Sequence, residues 1–444
     1  MLNIFIIASK YIIIILFAVY TLQSFLVIKS KNEISENRLL KSQNLLMFII
    51  HFLSFFMIFI KTETINTIIF YGCQLIFLIL FLGITNVFFE KRMSRALLNN
   101  ICMMMVIGFI ILTRLSFDQA VRQFQILLIG SVFFILILFF YRVYKMWPYL
   151  KWVYCGVGIF LLLMVFVFAG ETYGAKISID FGFFSIQPLE FVKILFVLFL
   201  ASIFNRSANF KNLIISALIA GVHILILVLC RDLGSALIFF LVYLFVLYVS
   251  TGRLLYFLGG LITGSIGAFF SYFLFSHVRV RVAAWLNPWP LIDSQGYQIT
   301  QSLFAIGTGG WLGLGLFGGM PDKIPVVEQD FVFSAISEEM GGFFAICLIL
   351  ICLSTFLMIL KIAINQNENF FNRTVVLGLG ITYGVQVILT LGGAIKMIPS
   401  TGVTFPLISY GGSSILATMI IFGIIQANYS KEVGEEEKNE EIRK

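Results

Sequence analysis

The chain has 444 residues, 60% of them hydrophobic and 12% charged, against about 25% charged in an average soluble domain, and its mean hydropathy is +1.01. That balance excludes a soluble protein. The formal charge of +8 comes from Lys and Arg in the connections between apolar runs, so it does not point to nucleic acid.

Apolar runs of about 17–25 residues suit membrane-spanning helices, and the short alternating strands of a membrane barrel are absent. The first run has no small-residue cleavage site after it and reads as a retained span rather than a removed signal peptide. Thirteen helices are expected, near residues 4–28, 45–60, 66–89, 99–113, 124–141, 152–170, 189–204, 212–230, 234–250, 254–275, 331–360, 374–396 and 413–428. Basic residues then collect in every second connection: Lys29, Lys31, Arg38 and Lys41; Lys91, Arg92 and Arg95; Arg142, Lys145 and Lys151; Arg206 and Lys211; Arg253; Lys361 and Arg373. With an odd number of spans this alternation puts the C-terminus in the cytoplasm, and the N-terminus and the long connection 276–330 outside. Cys73, Cys102, Cys155, Cys230, Cys347 and Cys352 lie in or beside apolar runs without metal-ligand spacing and read as packing residues. His51 and His223, isolated in apolar runs, read as packed or hydrogen-bonded.

Polar residues that interrupt the apolar pattern are the candidate site. Gln187, Glu190 and Lys193 in QPLEFVK share one helix face at i, i+3 spacing, with Pro188 in the first turn. The pair Glu190–Lys193 is either an interfacial anchor or a charged pair inside the membrane, where charge is expensive. Arg231 and Asp232 form an outward turn or the wall of a protected cavity. Arg279 and Arg281 open the long connection as anchors or site cations. The stretch from Trp285 to Gly342 is rich in Gly, Pro and polar residues, reads as a long structureless loop, and ends on Asp330 just before a new apolar run. A carboxylate at such a boundary is a site hypothesis by default. Ser334 and Ser337 follow on its helix face, and of Glu338 and Glu339 at least one is expected to face the interior. Gly307, Gly309, Gly310, Gly313 and Gly315 lack the preceding strand and the Lys-Ser/Thr of a phosphate loop. Lys396 precedes IPSTGVTFPLISYGGSS, whose Pro and Gly argue for an irregular or re-entrant segment. Residues 431–444 carry GEEEKNEE and read as a solvated, disordered tail.

QPLEFVK, RDLGSA, GYQITQSLFAIGTGG, EQDFVFSAISEEMGG and PSTGVTFPLISYGGSS, in that order, resemble the signatures of the SEDS proteins, the RodA/FtsW/SpoVE peptidoglycan polymerases. The resemblance covers roughly 95–428. It implies an all-α polytopic membrane protein with a ten-helix core, preceded here by about three extra transmembrane helices (1–94) and followed by a cytoplasmic acidic tail (429–444). It further implies an inverting glycosyltransferase that polymerises lipid II in the bacterial plasma membrane beside a class B penicillin-binding protein. The family's catalytic aspartate, in its TDFIF stretch, falls on Asp330, and its embedded lysine on Lys193. Lys193, Gln187, Glu190, Arg231, Asp232, Arg279, Arg281, Gln298, Gln301, Ser302, Lys396 and Ser409 are the substrate-binding candidates. Asp330 would be the base, with Lys193, Arg231 and Lys396 as counter-charges; a divalent cation, Mg2+ or Mn2+, would bridge phosphates, although no ligand cluster marks its place. Leu189, Arg231, Val326, Glu328 and Thr390 depart from the usual family residues and bear on the subfamily. A flippase for the lipid-linked precursor and an inactive scaffold for a synthase are the alternatives. Nothing in the first three helices suggests chemistry, so the core is expected to work without them.

Overall fold

The computed structural model of the chain describes residues 2–30, 32–89, 92–172, 175–180, 182, 185–205, 209–366 and 369–429. Lys31, Lys91, Arg206 and the acidic tail 431–444 lie outside the described residues. The helices are α1 (Leu2–Lys29), α2 (Glu33–Thr62), α3 (Ile65–Phe89), α4 (Arg95–Leu115), α5 (Phe117–Phe140), α6 (Lys151–Phe168), α7 (Leu189–Phe204) and α8 (Phe210–Leu229). They continue with α9 (Leu233–Thr251), α10 (Leu254–Leu274), α11 (Ser276–Leu286), α12 (Tyr297–Gly309), α13 (Val332–Met340), α14 (Gly342–Ile364), α15 (Phe370–Ala394) and α16 (Gly412–Ala427). Among the described residues eleven helices are long and apolar enough to cross a membrane. The shorter α7 and α16, 16 residues each, complete the set expected from the sequence. Polar side chains start several of these helices by accepting from early amides, as Asn32, Ser94, Asn209 and Asn369 do, which satisfies donors that a helix leaves open.

The bundle is organised around α4. It is buried along its whole apolar window, as a helix apolar on every side should be, and packs against α1, α2, α5 and α14. Helices α1 and α2 are therefore part of the packing rather than an appendage, and α3 packs on α2 and α5. Inside this contact Asn100 Oδ1 accepts from Tyr20 Oη at 3.3 Å and Ser24 Oγ at 3.1 Å. Its amide nitrogen donates to Ser354 and Thr355, both at 3.3 Å. His51 bonds Gln74 at 2.9 Å, and His223 bonds the Ile219 carbonyl at 2.9 Å; both are packed residues.

Two expectations change. The single helix expected over 331–360 breaks at Gly341, whose φ of 89° only glycine adopts readily. The break occurs because the chain at 310–315 lies alongside it in a backbone ladder: Leu314 N–H donates to Glu338 O at 2.9 Å, Gly315 to Glu339 O at 2.7 Å, and Gly342 to Gly310 O at 2.8 Å. The long connection is also not structureless, since it folds into α11, α12 and two 3-10 turns, Trp289–Leu291 and Pro321–Lys323. Before α7 the chain makes two short antiparallel hairpins. Strand β1 (Glu171–Thr172) pairs with β2 (Ala175–Lys176), and β3 (Ile179–Asp180) with β4 (Ser185–Ile186).

Candidate active site

Asp330 sits between a tight turn and α13. Its amide and that of Gln329 both point at the Val326 carbonyl, at 3.4 and 3.1 Å. The irregular segment 395–411 holds this turn from the other side: Tyr410 N–H donates to Glu328 O at 2.7 Å, and Ser409 Oγ to Gln329 O. Gly402, at φ 74°, brings its backbone beside the carboxylate, so that a methyl group there would lie 3.7 Å from Asp330 Oδ2. The acid is thus fixed by backbone contacts, with its oxygens free to act.

In front of Asp330 lies a cavity of about 300 Å³. Gln187, Glu190, Arg231, Asp232, Arg281 and Gln298 contribute to its wall, so the structure gathers these sequence candidates around the aspartate. Burial pushes the Asp330 carboxyl up to about 6; Arg281 opposes that rise, and the negative charges of Glu328 and Asp232 add to it. Burial also raises the Asp232 carboxyl, against its bonds from Ser235 N at 3.0 Å and Oγ at 2.7 Å, which make it the N-cap of α9. Arg231 occupies a left-handed turn position and reaches Glu171 at 3.4 Å, but both side chains are about half exposed, so that pair contributes little stability.

The remaining candidates lie elsewhere. Lys193 is buried, 2.7 Å from Glu190 Oε2 and 3.1 Å from Gln386 Oε1; Gln386 in turn donates to the Thr404 carbonyl at 3.1 Å. The lysine therefore supports the cavity wall instead of lining it. Arg279 is exposed, with Nη1 3.4 Å from the Phe273 carbonyl. Ser302 is buried against Ser334 at 2.6 Å and the Ala394 carbonyl at 2.7 Å. Gln301 and Lys396 are half-buried away from the cavity wall, and Ser409 is buried in the turn contact described above. Glu338 and Glu339 are both interior. Glu338 accepts from Met320 N at 3.1 Å; Glu339 accepts from Arg114 Nε at 2.9 Å and Phe317 N at 3.1 Å.

Sequence reasoning missed Trp285, Gln295, Ser400, Thr401 and Thr404, which line the same cavity. The Thr401 hydroxyl is buried without a partner, and Trp285 Nε1 donates to the Lys396 carbonyl at 3.1 Å. The polar, Gly- and Pro-rich character of 285–342 and of 395–411 was the only hint of them. No three His, Cys, Asp or Glu among the described residues are grouped to hold a metal ion. A second, larger groove of about 1090 Å³ runs beside the cavity between α8, α9 and α10. Its walls are mostly Leu, Ile, Val, Gly and Ala, and it shares Arg281, Ile398, Ser400 and Thr401 with the polar cavity. No residue of α10 is buried; it packs on α9 through Gly260 and Gly264, against Leu244 and Phe240, and forms the outer wall of the groove.

The chain is 36% identical over 271 residues to the peptidoglycan glycosyltransferase RodA of Mycobacterium leprae, covering 57% of this chain and 58% of that protein. The probable peptidoglycan glycosyltransferase FtsW of Tolumonas auensis is 33% identical over 288 residues, 62% of this chain and 74% of that one. The match thus spans less than three fifths of the mycobacterial relative. Among solved structures, a chain of a peptidoglycan synthase complex that coordinates polymerization and crosslinking aligns with a TM-score of 0.66 at 26% identity, over 76% of this chain and 97% of that one. A variant of the Thermus thermophilus rod shape determining protein RodA aligns with a TM-score of 0.58 at 25% identity, over 76% and 96%. Residues 93–433 match the sequence profile of the cell cycle proteins FtsW, RodA and SpoVE, and the chain belongs to that family.

Proposed function

We propose that this protein is a peptidoglycan glycosyltransferase that polymerises lipid II into glycan strands. One observation carries the reading: a polar cavity holding a half-buried acid shares a wall with a long apolar groove beside a helix that has no buried residue. A lipid-linked sugar has those two halves. Its polyprenyl chain suits the groove, and its diphosphate and sugars suit the cavity.

In the reaction, Asp330 takes the proton of the acceptor sugar's hydroxyl as that oxygen attacks the donor's anomeric carbon. The bond to the lipid diphosphate breaks with inversion, and Arg281, with Arg231 at the rim, stabilises the departing charge. Lys193 acts through Glu190, Gln386 and the Thr404 carbonyl, holding the wall in place. Asp232 and Asp330 are the cavity carboxylates that would face a divalent cation, Glu190 being paired with Lys193, and they are too few for a protein cage. Mg2+ or Mn2+ would enter with the diphosphate and neutralise part of its charge.

The same reading assigns the partner as a class B penicillin-binding protein, supported by the resemblance to a chain from a synthase complex. It divides the chain into extra helices 1–94, a polymerase core 95–428 and an acidic tail 429–444. It also puts the N-terminus and cavity outside and the C-terminus in the cytoplasm. Lys10, near the start of α1, touches Gly313 of the long connection. Arg142 bonds the Ala427 carbonyl at the end of α16. These contacts agree with opposite faces for the two ends.

Purified full-length protein given labelled lipid II in detergent tests the activity. Glycan polymer is the expected product. Transfer of lipid II across vesicle leaflets with no polymer in either setting would make the protein a flippase and end this reading.

A further inference from the structure

Helix α1 lies outside the segment that matches the family profile, yet it touches the chain that frames the site. Lys10 Nζ donates to the Gly313 carbonyl at 2.9 Å, across 303 positions of sequence. Near a membrane surface a lysine ordinarily extends its ammonium to water. Here the bond is part-buried, and the stem also passes Gly315, where an added methyl group would lie 3.7 Å from Lys10 Cδ.

Gly313 is the centre of the ladder that breaks the helix at Gly341. A methyl group on Gly313 would lie 2.3 Å from the Glu339 carbonyl, so the two backbones are in direct contact. The amides of Leu314 and Gly315 are bonded to the last residues of α13. Glu338 and Glu339 fasten the same loop at Met320 and Phe317, and Arg114, bonded to Glu339, stacks over the Phe317 ring at 4.5 Å. The nine-residue α13 is thereby gripped at its C-terminal end by the loop that Lys10 holds, and at its N-terminal end by Ser409 and Tyr410. Asp330 stands two residues before α13 begins. Below the grip, Phe17 stacks on Phe344 of α14 at 4.2 Å, so α1 is anchored to the same broken helix.

We infer that α1 is a brace for the catalytic aspartate and that Lys10 is a positioning residue. Its ammonium clamps the 310–315 loop onto the end of α13 and so fixes where Asp330 meets the acceptor. This inference rests on the polymerase reading for its effect on rate, but not for the clamp itself. A base displaced by about 1 Å loses about 100-fold in rate, and loosening one of the two grips is expected to cost about tenfold.

The test compares full-length wild-type protein with Lys10→Met and Lys10→Arg. Two measurements are made: amide hydrogen exchange at Leu314 and Gly315, and the kinetics of lipid II polymerisation. In the Met variant, exchange at both amides should speed by about tenfold and kcat should fall by about tenfold, with KM within about twofold and the melting temperature unchanged. The Arg variant should restore both readouts. Wild-type exchange and kcat in the Met variant would overturn the brace, as would a lowered melting temperature with kcat per folded molecule intact. If the wild-type protein makes no polymer, the polymerase reading fails while the exchange comparison still decides the clamp.

Discussion

Asp330 is held by its backbone and tuned by its neighbours. Because burial raises its carboxyl to about 6, the basic form predominates only above that pH. The polymerisation rate should therefore climb as pH rises through about 6 and then level off. Glu328→Gln removes a negative neighbour, keeps an oxygen for the 3.1 Å bond from Gln119, and should move this limb to lower pH. Arg281→Met removes the opposing cation and should move it higher. A pH–rate profile of the three proteins reads both shifts, and identical profiles would detach Asp330 from the rate. Asp330→Asn keeps size and polarity but removes the basic oxygen, so a folded, membrane-inserted protein with no polymer is expected, measured by gel analysis of glycan strands. Lys193 obeys a different logic. Removing one partner of a buried ion pair costs about 3–5 kcal/mol, because the other charge is stranded. Lys193→Met should thus lower the melting temperature and the activity together, while Lys193→Met with Glu190→Gln should recover much of the stability. Activity that stays absent in the stable double variant would show that the lysine's charge serves the reaction directly.

At the scale of elements, the long helices were legible because a bilayer demands about 20 consecutive apolar residues and internally satisfied backbones. Length alone located them. The break at Gly341 was not legible, since EEMGGFF runs directly into an apolar span and the cause lies thirty residues upstream. The helices α11 and α12 were hidden for a related reason. They turn mixed faces toward the cavity, Val280, Arg281, Ala284 and Trp285 from α11 and Gln298 and Ile299 from α12, so neither a lipid-length run nor a clean amphipathic stripe announces them. In the site, charged residues stood out against apolar surroundings, whereas Ser400, Thr401 and Thr404 are neutral and came together only through the path of 395–411. Gly341 makes the non-local cause testable. Its backbone angle strains any other residue by about 1–3 kcal/mol, and a methyl group there would lie 2.3 Å from Gly313 N. Gly341→Ala should lower the melting temperature in detergent by several degrees and speed exchange at Leu314. An unchanged melting curve would mean that the ladder is not what breaks the helix.

For the whole molecule, the question is what the three N-terminal helices contribute in a solvent that is itself apolar. Stripping α1–α3 from α4 would expose Leu, Ile and Met to lipid tails, and that change costs little because lipid is as apolar as the helices removed. Polar groups decide the outcome instead. Asn99 would lose its bonds to the Leu40 carbonyl at 3.2 Å and Gln43 Oε1 at 3.1 Å. Asn100 would lose Tyr20 and Ser24 but keep Ser354 and Thr355. Each stranded polar group costs about 1–3 kcal/mol, a sizeable part of a typical stability of about 5–15 kcal/mol. From the sequence alone, a chain lacking residues 1–90 is expected to keep its chemistry. With these contacts in view, the truncated protein is expected to insert but melt well below the full chain, and to polymerise slowly for want of the Lys10 clamp. Asn99→Leu with Asn100→Leu in the truncated chain should raise its melting temperature, because the two amides stranded by the loss of α1 and α2 are then gone. Thr355 keeps its bond to the Ile351 carbonyl at 2.8 Å, and Ser354, then without both Ser24 and Asn100, offsets only part of the gain. The same pair in the full chain should lower it, because Tyr20 and Gln43 lose their partners and Ser24 keeps only Ser354. That reversal of sign is the measurement that matters. If the double variant shifts both chains in one direction, the N-terminal helices are not serving as polar partners of α4.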